Sequence, residues 1–362
     1  MTDLWSRDWS LWATIVTSFG GLLRDSKERK ATGGDVEKVR VSSMSRRHFL
    51  AGAAAFSGAA WASVLAQGKP SQFKVAVISD EISQDFDHAC SVIARDFDLQ
   101  WVELRELWGK NLQELSSPEI AEATKILKKY DLQVTDIASP LFKVDWPDAP
   151  KSPYSPQRDM HGASKEVGYS QQSEVLAHSI ALAKQFRTDK VRCFDFWRLE
   201  DVKPHRAAIN EQLRAAAETA GKERVLLVLE NEFACNTATG REAAVVLGAI
   251  PSVHLALNWD PGNAVKRGEL DAFPGGWDAL PKGRVHHCHC KNAAKQPSGE
   301  VDWSPVGTGY IDWVAQFRAM KKAGFKDAVS LETHWHGGGT PEASSRVSWM
   351  GMKQALRDAG VV

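Results

Sequence analysis

Four apolar runs in the second half of the chain end on or beside a residue that can bind a metal: LLVLE at Glu230, LALNWD at Asp260, VHHCHC with His289, and AVSLE at Glu332. Three carboxylates and one imidazole make a borderline-hard donor set, suited to Mn(II), Mg(II), Co(II) or Zn(II) rather than to a soft metal. Isolated buried charge is expensive, so four such groups, each directly after a buried run, point to a shared cation rather than to four solvated caps. In the stretch 285–292, VHHCHCKN, strand alternation puts His287, His289 and Lys291 on one face, with His286, Cys288 and Cys290 on the other. With the three acids, that leaves His289 as the ligand of this stretch, and His287 and Lys291 as groups that touch substrate or support the ligands. The two cysteines are expected to pack behind the site.

These groups need a scaffold that gathers strand ends. From 73 onward, apolar runs alternate with amphipathic segments: strands are expected at 73–79, 99–105, 132–138, 190–196, 224–230, 253–259, 285–290 and 327–332. Helices are expected at 86–97, 118–130, 173–186, 205–221, 240–249, 311–323 and 342–359, with Gly221 and Gly324 as stop signals. Eight strand-helix units with near-continuous apolar strands read as a single-domain (β/α)8 TIM barrel, in which functional groups sit at the carboxyl ends of strands. An open doubly wound sheet is the competitor, but no Gly-rich dinucleotide fingerprint follows strand one, where SDEISQD stands. Glu103 and Arg105, ending strand two, become candidate substrate ligands. The proline-rich stretch 139–170 is expected to be a partly ordered lid carrying Trp146, Tyr154 and His161. His334 and His336 lie two and four residues beyond Glu332, in a glycine-flanked loop that reads as surface or as an extension of the site. Trp108, Trp146, Trp197, Trp259 and Trp335 fall near strand ends or in the long loop, where an aromatic face either adds buried area or packs on a ligand's C–H groups.

The amino terminus has a different character. Ser45-Arg46-Arg47-His48-Phe49-Leu50 precedes a weakly apolar run, AGAAAFSGAAWASVLA, that ends in small residues. The run is shorter than the ~20 residues of a membrane-spanning helix, so a cleaved signal is expected rather than a stable membrane anchor. The segment resembles a twin-arginine export signal, with cleavage after Ala62 or Ala66, and implies passage through the twin-arginine machinery to the periplasm. Such signals begin a chain, and Met44 stands directly before Ser45. The reading is therefore 1–43 as a non-translated or disordered extension, 44–66 as signal and 67–362 as the barrel. The whole chain has a formal net charge of zero. Without residues 1–66 it is mildly acidic, at roughly −3, a poor balance for binding nucleic acid. Five irregularly spaced cysteines do not form a disulfide framework.

From about Phe73 to the carboxyl terminus the chain resembles the xylose-isomerase-like TIM barrels known as sugar phosphate isomerases/epimerases. The resemblance is carried by VELR (102–105), LEN (229–231), DPGN (260–263), HCHCKN (287–292), PVGTG (305–309) and SLE (330–332). It implies metal ligands at Glu230, Asp260, His289 and Glu332. Glu230 and Glu332 would double as acid/base groups on either side of a carbon that loses its proton to form an enediolate. Three positions depart from the family: Asn263 and Glu232 replace histidines, and Lys291-Asn292 replaces Lys-Asp. Glu103, Arg105, Asn263, His287 and Lys291 are the expected substrate-binding residues, and the departures imply a non-standard substrate. The reading is a divalent-metal-dependent isomerase/epimerase acting on a small carbohydrate or keto-sugar. A lyase or hydratase on keto-glycosides is the alternative, since export speaks against a phosphorylated metabolite. A non-catalytic sugar-binding protein and an abasic-site endonuclease rank below.

Overall fold

The computed structural model describes residues 72–155 and 168–362. These belong to one compact unit spanning Gly68–Val362. The expectations for 1–66 and for His161 lie outside the described residues.

Eight strands build one parallel sheet: β1 (Lys74–Val77), β2 (Trp101–Leu104), β3 (Gln133–Leu141), β4 (Lys190–Cys193), β5 (Leu226–Glu230), β6 (Leu255–Trp259), β7 (Val285–Cys290) and β8 (Ala328–Leu331). Their order is β1-β8-β7-β6-β5-β4-β3-β2, every ladder being parallel. The seam between β1 and β2 carries a single parallel bridge, Ile78 to Glu103, which makes the sheet a nearly closed barrel. Each strand leads to a helix: α1 (Phe86–Ser91), α2 (Ser117–Lys129), α3 (Gln172–Gln185), α4 (Arg206–Lys222), α5 (Gly240–Ala249), α6 (Pro261–Lys266), α7 (Trp313–Lys322) and α8 (Pro341–Asp358). The architecture is the expected (β/α)8 barrel. Among the described residues no helix is long and apolar enough to cross a membrane.

Strand alternation sorts the side chains. Leu227, Leu229, Leu257, Cys288, Cys290 and Leu331 belong to the apolar layer between sheet and helices. Their neighbours Glu230, Asn258, His287, His289 and Ser330 are equally buried yet polar, and they line the barrel interior. All five cysteines are buried and free, as a packing role requires. Trp259 shares the outer parity: it is packed in the core, and its indole N–H donates to Gln316 Oε1 of α7 at 3.2 Å. That removes it from the sugar-facing candidates.

Helix starts follow local chemistry. Thr239 and Glu242 form a reciprocal capping box before α5, while before α2 the Ser116 N–H and hydroxyl both donate to Glu119 Oε2. Asp260 caps the short α6, its Oδ1 accepting the Asn263 N–H at 2.9 Å. The expected helix over 86–97 is α1 followed by a π turn at Val92–Asp96. Gly324, at φ +80°, ends α7 as expected. Gly221 does not end α4, which runs through it to Lys222. Its lack of a side chain serves packing, since a Cβ there would stand 2.3 Å from the His254 ring.

The stretch expected to be a lid begins as regular structure. β3 runs on to Leu141, and Phe194, Phe196 and Trp197 then donate backbone N–H groups to Leu141, Phe142 and Val144 at 2.9–3.0 Å. Trp146 is buried edge-on against Phe196 and Tyr169, so this part of the segment is core rather than cover. Tyr154 is exposed, its hydroxyl accepting from Arg267 at 2.8 Å.

Candidate metal centre

The carboxyl ends of β5 to β8 bring Glu230, Asp260, His289 and Glu332 together, with one donor atom from each lying within 4.8 Å of the other three. All four residues are buried. His289 Nδ1 lies 3.3 Å from Glu230 Oε1, 3.0 Å from Glu332 Oε2 and 3.8 Å from Asp260 Oδ2. Donors around one ion with bonds of about 2.0–2.2 Å stand roughly 3.0–3.5 Å apart, so the spacing suits a common cation. Neither His289 Nδ1 nor Asp260 Oδ2 makes a regular hydrogen bond: Nδ1 faces the three acids, and Oδ2 faces Lys291 Nζ at 2.8 Å as an ion pair. Both atoms are buried and converge on the same point. On donor type, spacing and burial, the four residues fit a divalent metal.

Each ligand candidate has a second group that fixes it. Asp260 uses Oδ1 to cap α6, which turns Oδ2 inward. Glu230 accepts from Arg192 on Oε2 at 3.1 Å and from Asn263 Nδ2 on Oε1 at 3.1 Å. Glu332 accepts from Arg105 on Oε1 at 2.8 Å and from Lys291 on Oε2 at 2.5 Å. The other ring nitrogen of His289 lies 2.9 Å from Glu103 Oε1. A carboxylate there holds a proton on Nε2, so that with a cation bound the Nδ1 lone pair would be the one offered to it. Asn258 Nδ2 lies 3.0 Å from the same Nε2, and its Oδ1 is unpaired. Turning that amide over would let its oxygen accept from Nε2, an orientation that the hydrogen-bond network decides.

Electrostatics reflect the crowding of acids. Burial pushes the Asp260 carboxyl up to about 7, despite Lys291 beside it. Burial would also raise Glu230, but His289 and Arg192 outweigh it and hold the carboxyl at about 2. Glu332 is held well below the usual range, since Lys291, His334 and His289 overcome its burial. Against its own burial, His289 is driven well above the ordinary imidazole value by Glu103, Glu230 and Glu332. This local excess of negative charge is one that a bound cation relieves.

Residues expected to touch substrate are brought to the site, in contact with its acids. Glu103 and His287 have no solvent exposure and lie beneath His289, with His287 Nε2 3.0 Å from Glu103 Oε2. Arg105 spends its guanidinium on Asp80, Glu81 and Glu332, at 2.7–2.8 Å. His334, left open between surface and site, joins the site: its Nε2 is 3.2 Å from Glu332 Oε1. His336 is exposed.

Several polar groups here escaped sequence reasoning. Arg192 was legible as a cation inside the run VRCF, and Asp136 as an acid in the middle of LQVTDIA. Burial, with Glu103 nearby, raises Asp136 to about 6. Trp303 carried no signal; its ring covers Lys291 Nζ at 5.2 Å and meets His334 edge-on at 5.3 Å. Two further groups of possible donors share members with the quartet, Glu103-His287-His289 and Glu81-Glu332-His334.

Comparison with known proteins agrees with this architecture. No curated protein matches the sequence. Among solved structures, the probable 3-DHS dehydratase AsbF from Bacillus anthracis superposes with a TM-score of 0.55 at 17% identity, covering 77% of this chain and 97% of that one. The IOLI protein with a bound zinc atom gives 0.57 at 14% identity, covering 79% and 98%. A xylose isomerase-like TIM barrel protein from Mycobacterium smegmatis in complex with magnesium gives 0.55 at 16% identity, covering 76% and 89%. Identities this low show a shared fold. The family model described as xylose isomerase-like TIM barrel matches residues 92–352. The chain belongs to the xylose isomerase-like TIM barrel family.

Proposed function

We propose that the protein is a divalent-metal-dependent enzyme that removes a proton beside a carbonyl of a sugar or keto-sugar, with isomerisation or epimerisation as the outcome. The observation that carries this reading is the buried quartet Glu230, Asp260, His289 and Glu332, with one donor atom from each converging on a common point. When bound there, a cation of the Mn, Mg, Co or Zn type would polarise the carbonyl and acidify the adjacent C–H. Glu230 and Glu332 enter from β5 and β8, which lie three strands apart in the sheet order, and stand as the acid/base pair. Against their burial, His289 and Arg192 keep Glu230 ionised, and Lys291, His334 and His289 keep Glu332 ionised, so each can accept a proton while being a weak base. Glu103 orients His289, while Asn263 orients Glu230.

A second reading, a lyase or hydratase on keto-glycosides, has an observation of its own. The donors around the two acids are unequal: Glu332 meets Arg105, Lys291 and His334, whereas Glu230 meets Arg192 and Asn263. An elimination takes a proton at one place and delivers one to a leaving group at another, which suits an asymmetric donor set. Elemental analysis, followed by turnover of free sugars and keto-glycosides in deuterated water, separates the readings. Solvent deuterium at carbon without bond cleavage supports isomerisation, and aglycone release supports elimination. A protein without metal, or a Glu332→Gln variant with unchanged turnover, refutes both.

We also propose that residues 44–66 direct twin-arginine export to the periplasm. Ser45-Arg46-Arg47-His48-Phe49-Leu50 and its small-residue run support this. Replacing Arg46 and Arg47 by Lys should leave the protein in the cytoplasmic fraction; continued export would refute the proposal.

A further inference from the structure

Lys291 Nζ lies 2.8 Å from Asp260 Oδ2 and 2.5 Å from Glu332 Oε2, two of the four donor atoms of the quartet. The two arginines at this site behave differently. Arg105 and Arg192 bind Glu332 Oε1 and Glu230 Oε2, the oxygens turned away from His289 Nδ1, so they hold the ligands without contesting them. Lys291 alone of the three competes for inward oxygens.

Its position is enforced. The side chain has no solvent exposure, and the indole of Trp303 covers its ammonium. The aliphatic stem passes so close to Gly262 that a Cβ there would stand 2.6 Å from Lys291 Cγ. An ammonium held this way cannot snorkel to water when a second cation arrives. Like charges a few ångströms apart in a buried site repel strongly, whereas three buried carboxylates without a cation are costly.

We infer that Lys291 is a built-in counter-cation of the quartet: it stabilises the metal-free protein and weakens metal binding, which keeps the metal exchangeable. This rests on the reading of the quartet as a metal site. Metal-stripped full-length protein titrated with MnCl2 and with ZnCl2, by calorimetry and by thermal melting, tests it in wild type and in Lys291→Met. The expected result is metal binding at least about tenfold tighter in Lys291→Met, with a lower metal-free Tm and a larger metal-induced rise in Tm. Lys291→Arg, which keeps the charge, should stay within about threefold of wild type. If the Met variant folds poorly, Lys291→Gln carries the same expectation. Wild-type binding with equal or weaker binding in the neutral variants overturns the inference and leaves the metal site standing. Absence of binding in every form overturns both.

Discussion

Replacing Arg105 by Met should destabilise the barrel at its weakest seam. The guanidinium donates to Asp80 Oδ2 at 2.7 and 3.0 Å, to Glu81 Oε1 at 2.7 Å and to Glu332 Oε1 at 2.8 Å. It therefore ties the loop after β1 and the end of β8 to β2, where the strand ladder offers one bridge. Its side chain is 11% exposed and its three partners 3–8%, so solvent screens these pairs little. Removing one member of a buried ionic network costs about 3–5 kcal/mol. For a domain of this size that corresponds to a fall in Tm of roughly 5–8 °C. The pH dependence gives a second check. Without Arg105, the buried carboxyls of Asp80 and Glu81 take folded-state pKa values above their unfolded ones. The folded variant then binds more protons than its unfolded form, so its deficit is greatest near pH 8 and shrinks toward pH 5. Urea unfolding of wild type and variant between pH 5 and 8 measures both quantities. A loss under about 1 kcal/mol, or a deficit that widens on acidification, would refute the reasoning.

Further expectations concern individual contacts. Glu103→Gln should weaken metal binding about 10–100-fold, because the amide no longer enforces the Nε2 proton of His289; unchanged affinity by calorimetry would count against the role given to Glu103. Burial would raise Asp327, but its hydrogen bond to His286 and the nearby Lys190 hold it at about 2. Its folded pKa is depressed, so its stabilisation is complete above the unfolded value near 4 and lost as pH falls through about 2. Asp327→Asn should therefore lose about 1–2 kcal/mol at pH 7 and converge with wild type near pH 2, as measured by denaturant unfolding. A Cβ at Gly351 would stand 1.8 Å from the Val306 carbonyl oxygen, whereas one at Gly248 meets nothing within 4 Å. Gly351→Ala should lose about 3 kcal/mol or more, while Gly248→Ala, in α5, should gain about 0.5–1 kcal/mol. Equal melting temperatures for the two variants would contradict the packing described.

The eight strand-helix units were legible in sequence because a parallel strand covered by helices must be apolar along its length, and each strand lies close to its run. Alternation was equally readable: the parity of VHHCHCKN placed His287, His289 and Lys291 on the inner face and both cysteines in the outer layer. The four ligand candidates shared one signal, a polar residue at the end of a buried run. Gly221 misled because a glycine near a helix end signals either a stop or a close approach, and only the neighbouring His254 tells which. The length of β3 was missed because prolines in 139–170 masked backbone pairing with the continuation of β4.

Contacts made across the barrel were decided by the tertiary structure alone. Nothing local says that Arg105 pairs with Glu332, 227 residues away, or that Glu103 reaches His289, 186 residues away. The inward placement of Lys291 also depends on Gly262 giving way and Trp303 closing over it. A sequence determines which side chains face the barrel axis, because strand parity is a property of the backbone. Which oxygen each cation takes depends on distances between strands that only closure of the barrel sets.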